Sequence, residues 1–150
     1  MKILIDFDGT CVTHSFPKIG RDIGAVPVLK KLTDHGHQLI LFTMRDNRPE
    51  ENITWADFIM EDCSYLDHAI KWFDQNNIPL YGIQKDPEQE SWTKSPKAYG
   101  QLIIDDTSLG IPLTFNPDYS NRPYVNWTLV EKMLEEKGLF RSNTNQLTLF

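Results

Sequence analysis

The sequence predicts an α/β fold, a three-layer sandwich with a central parallel sheet. Three observations carry that reading. Short apolar runs occur at residues 2–5, 38–42 and 102–104. Each is continuous rather than alternating, as in strands buried on both faces. Segments of helical periodicity separate them, and strands alternating with helices imply crossover connections and parallel pairing.

The first run, Lys2-Ile3-Leu4-Ile5, stops at Asp6-Phe7-Asp8-Gly9. Ala25 to Leu32 then repeats apolar residues at helical spacing; Pro27 is tolerated in a first turn and Gly36 supplies a stop. The second run, Gln38 to Phe42, ends at Thr43. From Asp62 to Gln75, Leu66, Ala69, Ile70 and Phe73 share one helix face. Weaker strands are expected at Leu80–Ile83 and Leu113–Phe115. Between them Leu102-Ile103-Ile104 ends at Asp105-Asp106. Asn126 is placed to cap a helix carrying Leu129, Val130, Met133 and Leu134, and Gly138 to end it. Residues 46–52 and 86–96 read as surface loops, and 139–150 as a C-terminal tail.

The chain has 150 residues, which suits one domain over 1–150. With 40% hydrophobic and 24% charged residues it reads as globular. No apolar run approaches the roughly 18 residues of a spanning helix, so no membrane partner is expected. The N-terminus acquires carboxylates after a few apolar residues, unlike a signal peptide, and a cytoplasmic location follows as the expectation. A net charge of -6 disfavours a dedicated nucleic-acid binder, though a local basic patch would suffice for a nucleotide. Two cysteines, Cys11 and Cys63, exclude a disulfide framework and a Cys-rich zinc site. Cys11 reads as a small buried filler, and the four tryptophans as core packing.

The apolar runs end in groups able to do chemistry: Asp6 and Asp8, Thr43, Asp105 and Asp106. In an open parallel sheet, ligands sit beyond the carboxyl ends of the strands, so these side chains should converge. Four carboxylates at one edge repel unless a cation joins them. Oxygen-only ligation suits a hard divalent ion, and Mg²⁺ fits when phosphate and water complete its shell. Gly9 lets the chain turn sharply, so one of Asp6 and Asp8 can attack phosphorus while the other protonates the leaving oxygen. Thr43 offers a hydroxyl to a phosphoryl oxygen, and a lysine would neutralise charge in the transition state.

Asp6-Phe7-Asp8-Gly9-Thr10 resembles the first motif, DxDGT, of the haloacid dehalogenase superfamily. Thr43 in Leu-Phe-Thr-Met-Arg resembles the second motif and Ile103-Ile104-Asp105-Asp106 the fourth. Lys97, eight residues before Asp105, matches the lysine spacing of capless members; Lys94 and Lys85 also precede the acidic pair. The four parts occur in order across residues 1–106.

The resemblance implies a Rossmann-like domain and a Mg²⁺-dependent phosphatase. It implies Asp6 as the nucleophile forming an aspartyl-phosphate and Asp8 as general acid and then base. The Asp6 carboxylate, the Asp8 carbonyl and Asp106 would hold the metal, Asp105 would support that shell and orient Lys97, and Thr43 would bind the phosphoryl group. About fifteen residues separate Gly9 from the helix near Ala25, too few for a cap domain of typically 50 or more. An open site is therefore expected, with residues 11–24 as a flap. Substrate contacts are expected from Gly9, Thr10, Met44 and Arg45, and from His14, Lys18 and Arg21 on the flap.

The expected activity is phosphomonoester hydrolysis, on a phosphorylated small molecule or an exposed phosphate of a larger one. Two alternatives stand beside it: a nucleotide or polynucleotide-end phosphatase, and a catalytically silent phosphate-binding regulatory module.

Overall fold

Four parallel strands form the sheet at the centre of the computed structural model, which describes residues 1–48 and 63–141. They are β1 (Lys2–Ile5), β2 (Gln38–Leu41), β3 (Gly82–Ile83) and β4 (Leu102–Ile104). Their order is β3-β2-β1-β4, and Ile3 lies between Leu39 and Leu102 in register. The continuous apolar runs thus became the two central strands and one neighbour, as burial on both faces requires.

Helix α1 (Ala25–Asp34) joins β1 to β2, α2 (Tyr65–Gln75) precedes β3, and α3 (Trp127–Glu136) follows β4. Asn126 caps α3 by accepting from Leu129 N–H at 3.1 Å. Gly36 (φ 82°) and Gly138 (φ 83°) follow α1 and α3 in left-handed backbone, which needs no Cβ. All three helices bury their apolar stripes on one sheet face, against Ile3, Ile5, Leu39 and Leu41.

The opposite face carries Leu4 and Ile40 and is covered by the chain between β3 and β4. Moving from β2 to β3 and back across to β4 reverses direction along the sheet. A right-handed crossover then runs over the other face. This third layer is a loop with one 3₁₀ turn at Gln89–Ser91, packed through Ala98. It leaves Phe42 and Ile103 partly exposed.

Two further strands, β5 (Leu113–Thr114) and β6 (Tyr124–Val125), pair with each other antiparallel and stand outside the main sheet. The strand expected at 113–115 therefore exists, but as half of a ribbon. Leu139 and Phe140, assigned to the tail from sequence, belong to the packed core instead; Leu139 is buried and Phe140 lies against His35 and Lys31. Trp92 is 61% exposed and, among the described residues, its one ring contact is edge-on to Tyr99, so it is not core packing. Asp62, Trp55, part of the 46–52 loop and the tail from 142 lie outside the described residues. No helix among the described residues is long and apolar enough to cross a membrane.

Candidate active site

The carboxyl ends of β1, β2 and β4 open into one cavity of about 430 Å³, walled by Asp6, Asp8, Thr43, Asp105 and Asp106 among others. Parallel pairing brings these groups together from sequence separations of up to a hundred residues.

Asp6, Asp105 and Asp106 form the acidic centre, with one carboxylate oxygen of each inside a 4.8 Å cluster. Burial raises the Asp6 carboxyl to about pH 8, and the charges of Asp105 and Asp106 push the same way. The hydrogen bond from Thr10 Oγ1, 2.6 Å to Asp6 Oδ2, opposes them only in part. Such a group of partly buried oxygens repels itself and gains from a divalent cation, so the donor set fits Mg²⁺.

The hydroxyl of Thr10, fully buried, also accepts from Asp106 N–H at 2.9 Å and fastens the β1 loop to the β4 loop. Gly9, at φ 79°, completes that close approach. A Cβ there would sit 2.0 Å from His14 Nε2 and 2.7 Å from Asp106 Oδ2. His14 Nε2 lies 2.8 Å from Asp106 Oδ2 and brings the flap against the acidic centre. Burial, with the charges of Asp6 and Asp8, keeps the Cys11 thiol protonated, and its Sγ donates to the Asp6 carbonyl. It is thus a buried filler, as expected, and not a nucleophile.

Asp8 stands apart from this cluster. Arg45 grips both its oxygens, Nε and Nη2 each at 2.8 Å. The remaining guanidinium donors go to the carbonyls of Pro17, Lys18 and Tyr65. Guanidinium has five N–H groups, and all five are used in this buried side chain.

Thr43 sits where β2 ends, and Gln84 holds its turn. Gln84 accepts from Thr43 N–H at 2.9 Å and donates to the carbonyls of Thr43 and Arg45 at 2.7 and 3.1 Å. The Thr43 hydroxyl accepts from Arg45 N–H at 3.1 Å, so its own proton is free to point into the cavity.

No protein-family model matches the chain, and no curated protein matches it. Among solved structures, a conserved protein from Bacteroides thetaiotaomicron is similar: 34% identical, covering 91% of each chain, with a TM-score of 0.65. The chain belongs to the family of that protein. The match spans nearly all of both chains, so the family shares the fold. What the site does must be argued from its residues.

Several expected site residues are placed differently from the sequence reading. Lys97 is exposed and absent from the cavity walls; its backbone bonds to Ser95 and Gln89 in the third layer. Lys85 pairs with Glu90 at 2.9 Å, and Lys94 is exposed, so neither replaces it. Asp105 accepts from Thr107 N–H and Oγ1 at 2.8 and 2.7 Å and therefore orients Thr107, not Lys97. Lys18 lends Arg45 its carbonyl, and its side chain does not wall the cavity. Thr10 is fully buried and off the cavity walls, so it is a support. Arg45 does wall the cavity, but its guanidinium donors are all committed to protein partners. The Asp8 carboxylate is outside the acidic cluster, which leaves only its carbonyl for the expected metal contact. Met44 is 97% exposed at the rim, where a ligand can touch it.

Four wall or support residues escaped the sequence reading: Phe16, Thr107, Arg122 and Gln84. Only Gln84 carried a signal, a polar residue directly after a strand.

Proposed function

We propose that this protein is a Mg²⁺-dependent phosphomonoester hydrolase of the haloacid dehalogenase type, acting through an aspartyl-phosphate on Asp6. The observation that carries the reading is the convergence of Asp6, Asp105 and Asp106 with the free Thr43 hydroxyl on one cavity. In this reading Asp6, Asp105 and Asp106 hold the metal. When bound, the cation screens the acidic centre from an incoming phosphate and stabilises charge on the phosphoryl oxygens.

The chain's own residues supply the rest. Thr10 fixes one Asp6 oxygen by its hydroxyl, so the other faces the substrate phosphorus. Its attack forms the acyl-phosphate bond and breaks the phosphorus–oxygen ester bond. Thr43 donates to a phosphoryl oxygen and keeps it in line. The leaving oxygen takes a proton from Asp8, and Asp8 then withdraws one from the water that hydrolyses Asp6-phosphate. For these transfers Asp8 must turn one oxygen away from Arg45.

That requirement is the observation favouring a second reading. With both its oxygens held by a buried arginine, Asp8 is set as a structural anion, which suits a phosphate-binding module without turnover.

Phosphate release separates the two. The hydrolase is expected to cleave p-nitrophenyl phosphate with Mg²⁺ and to stop in EDTA. Asp6→Asn is expected to lower turnover by about a thousandfold or more while the circular-dichroism spectrum stays unchanged. Full turnover in Asp6→Asn would remove the nucleophile assignment. Phosphate binding with no release from sugar phosphates, nucleotides, phosphoamino acids or oligonucleotide ends would favour the binding module.

A further inference from the structure

The acidic cavity does not end at Met44 and Thr43. It shares His14, Phe16 and Arg122 with a second cavity of about 650 Å³. The second cavity runs between the flap and the segment 119–122. Its walls include Arg21, Arg122 and His14 and no carboxylate, in a chain of net charge -6. Among the described residues neither Arg21 nor Arg122 has an acidic partner within ion-pair distance. Both guanidinium groups are therefore available, unlike Arg45.

The groove is also held in shape. Tyr119 donates its hydroxyl to the carbonyl of Asp22, which ties segment 119–122 to the flap. The Arg21 guanidinium lies over the Tyr119 ring, 5.2 Å from its centre, which fixes its plane. Thr13 and Arg21 close the flap base by reciprocal bonds of 3.0 and 2.8 Å. Guanidinium forks bind phosphate or carboxylate in paired hydrogen bonds.

We infer that the preferred substrate is a phosphomonoester whose leaving group carries a second anionic group, seated by Arg122 and Arg21 in this groove. The inference rests on the hydrolase reading: the reacting phosphate lies at Asp6 and Thr43, and the leaving group passes Phe16 to reach the arginines. Arg122, on the wall of both cavities, is the specificity-determining residue. The second anion has two chemical sources, a small bisphosphate or the backbone of an oligonucleotide bearing a terminal phosphate.

The test compares kcat/KM with Mg²⁺ for a sugar monophosphate, the matching sugar bisphosphate and a terminally phosphorylated oligonucleotide. At least one of the two substrates with a second anionic group is expected to be preferred over the monophosphate. That preference ratio is expected to fall roughly tenfold or more in Arg122→Ala, and by less in Arg21→Ala. Preference for the bisphosphate assigns a small-molecule source, and preference for the oligonucleotide assigns the backbone. No preference, or a ratio unchanged by both substitutions, overturns the inference while leaving the hydrolase reading intact. If no substrate is cleaved, the hydrolase reading fails on its own. Calorimetric titration then decides the inference: the bisphosphate should bind roughly tenfold more tightly than its monophosphate to the wild type but not to Arg122→Ala. Equal affinities in the wild type overturn it.

Discussion

Strand β1 has an acidic cluster at each end. At its start, Asp86 and Glu88 meet the Lys2 ammonium, both at 3.0 Å. The ammonium also lies over the rings of Tyr81 and Tyr99. Buried Gln89 laces the surrounding loop through Asp86 N–H, Tyr99 N–H and the Lys97 carbonyl. Every charge there has a partner of opposite sign. At the other end, Asp6, Asp105 and Asp106 face one another, and Arg45, the one buried arginine among the described residues, is spent on Asp8. Acidic residues alone are therefore uninformative; what distinguishes the ends is whether the fold brings its own cation. The start of β1 is complete as it stands, whereas at its end the three carboxylates face one another, the repulsion that the proposed cation would relieve.

The largest expected effect concerns Arg45, the buried cation paired with Asp8 at the open end. Arg45→Ala would leave the Asp8 carboxylate without both its guanidinium bonds and the carbonyls of Pro17 and Lys18 without the Arg45 donor. Breaking one side of a buried pair costs about 3–5 kcal/mol. Chemical denaturation should show a loss of that order. Arg45→Lys should recover only a fraction, because an ammonium cannot span the five acceptors. A loss below about 1 kcal/mol for Arg45→Ala would place Arg45 with the screened surface pairs.

The two ends should also differ in pH dependence. Asp6 titrates higher folded, near pH 8, than its ordinary 3.8. The folded state therefore holds a proton that the unfolded state has released. That contribution is full below about pH 4 and is lost as pH rises through about 8. The other cluster does not titrate in that interval. The hydrogen bond from Lys2 depresses Glu88, and the bonds to Asp86 and Glu88 raise Lys2, so its contribution is level across the same interval. Metal-free protein should thus lose thermal stability between pH 5 and 8, by roughly 3–8 °C. Asp6→Asn should flatten this slope, and Mg²⁺ should raise the midpoint more at pH 8 than at pH 5. A slope unchanged in Asp6→Asn would locate the titration elsewhere.

How much of this was legible beforehand follows the same division. Continuous apolar runs revealed β1, β2 and β4. Periodicity with Gly36, Asn126 and Gly138 revealed the helices, because these signals are local to a few residues. The convergence of Asp6, Thr43 and Asp105–Asp106 also followed, since parallel strands end on the same edge. What a charged side chain pairs with was not legible. Arg45 looked free for substrate, yet it folds back 37 residues to Asp8. Lys97 looked like a site lysine, yet it lies in the third layer, whose course depends on the crossover. Arg122 and Phe16 line one cavity because the segment joining β5 to β6 is tied to the flap through Tyr119 and Asp22, and two-residue strands carry almost no periodic signal.

The smallest expected effect is at the closed end, and it tests whether that cluster is purely structural. Lys2→Met keeps the aliphatic stem against Tyr81 and Tyr99 but removes the ammonium. Asp86, 1% exposed, then keeps only the weak bond from Glu88 N–H at 3.3 Å. A fall in the thermal midpoint smaller than for Arg45→Ala is expected, because Lys2 bonds two acceptors and Arg45 five, with Mg²⁺ affinity and phosphatase turnover unchanged. Asp86→Asn in the Lys2→Met background should return part of the loss, because the uncompensated charge is gone. Were Lys2→Met to weaken Mg²⁺ binding instead, the two ends of β1 would be coupled, and the separation between a cluster that builds the fold and one that awaits its ligands would fail.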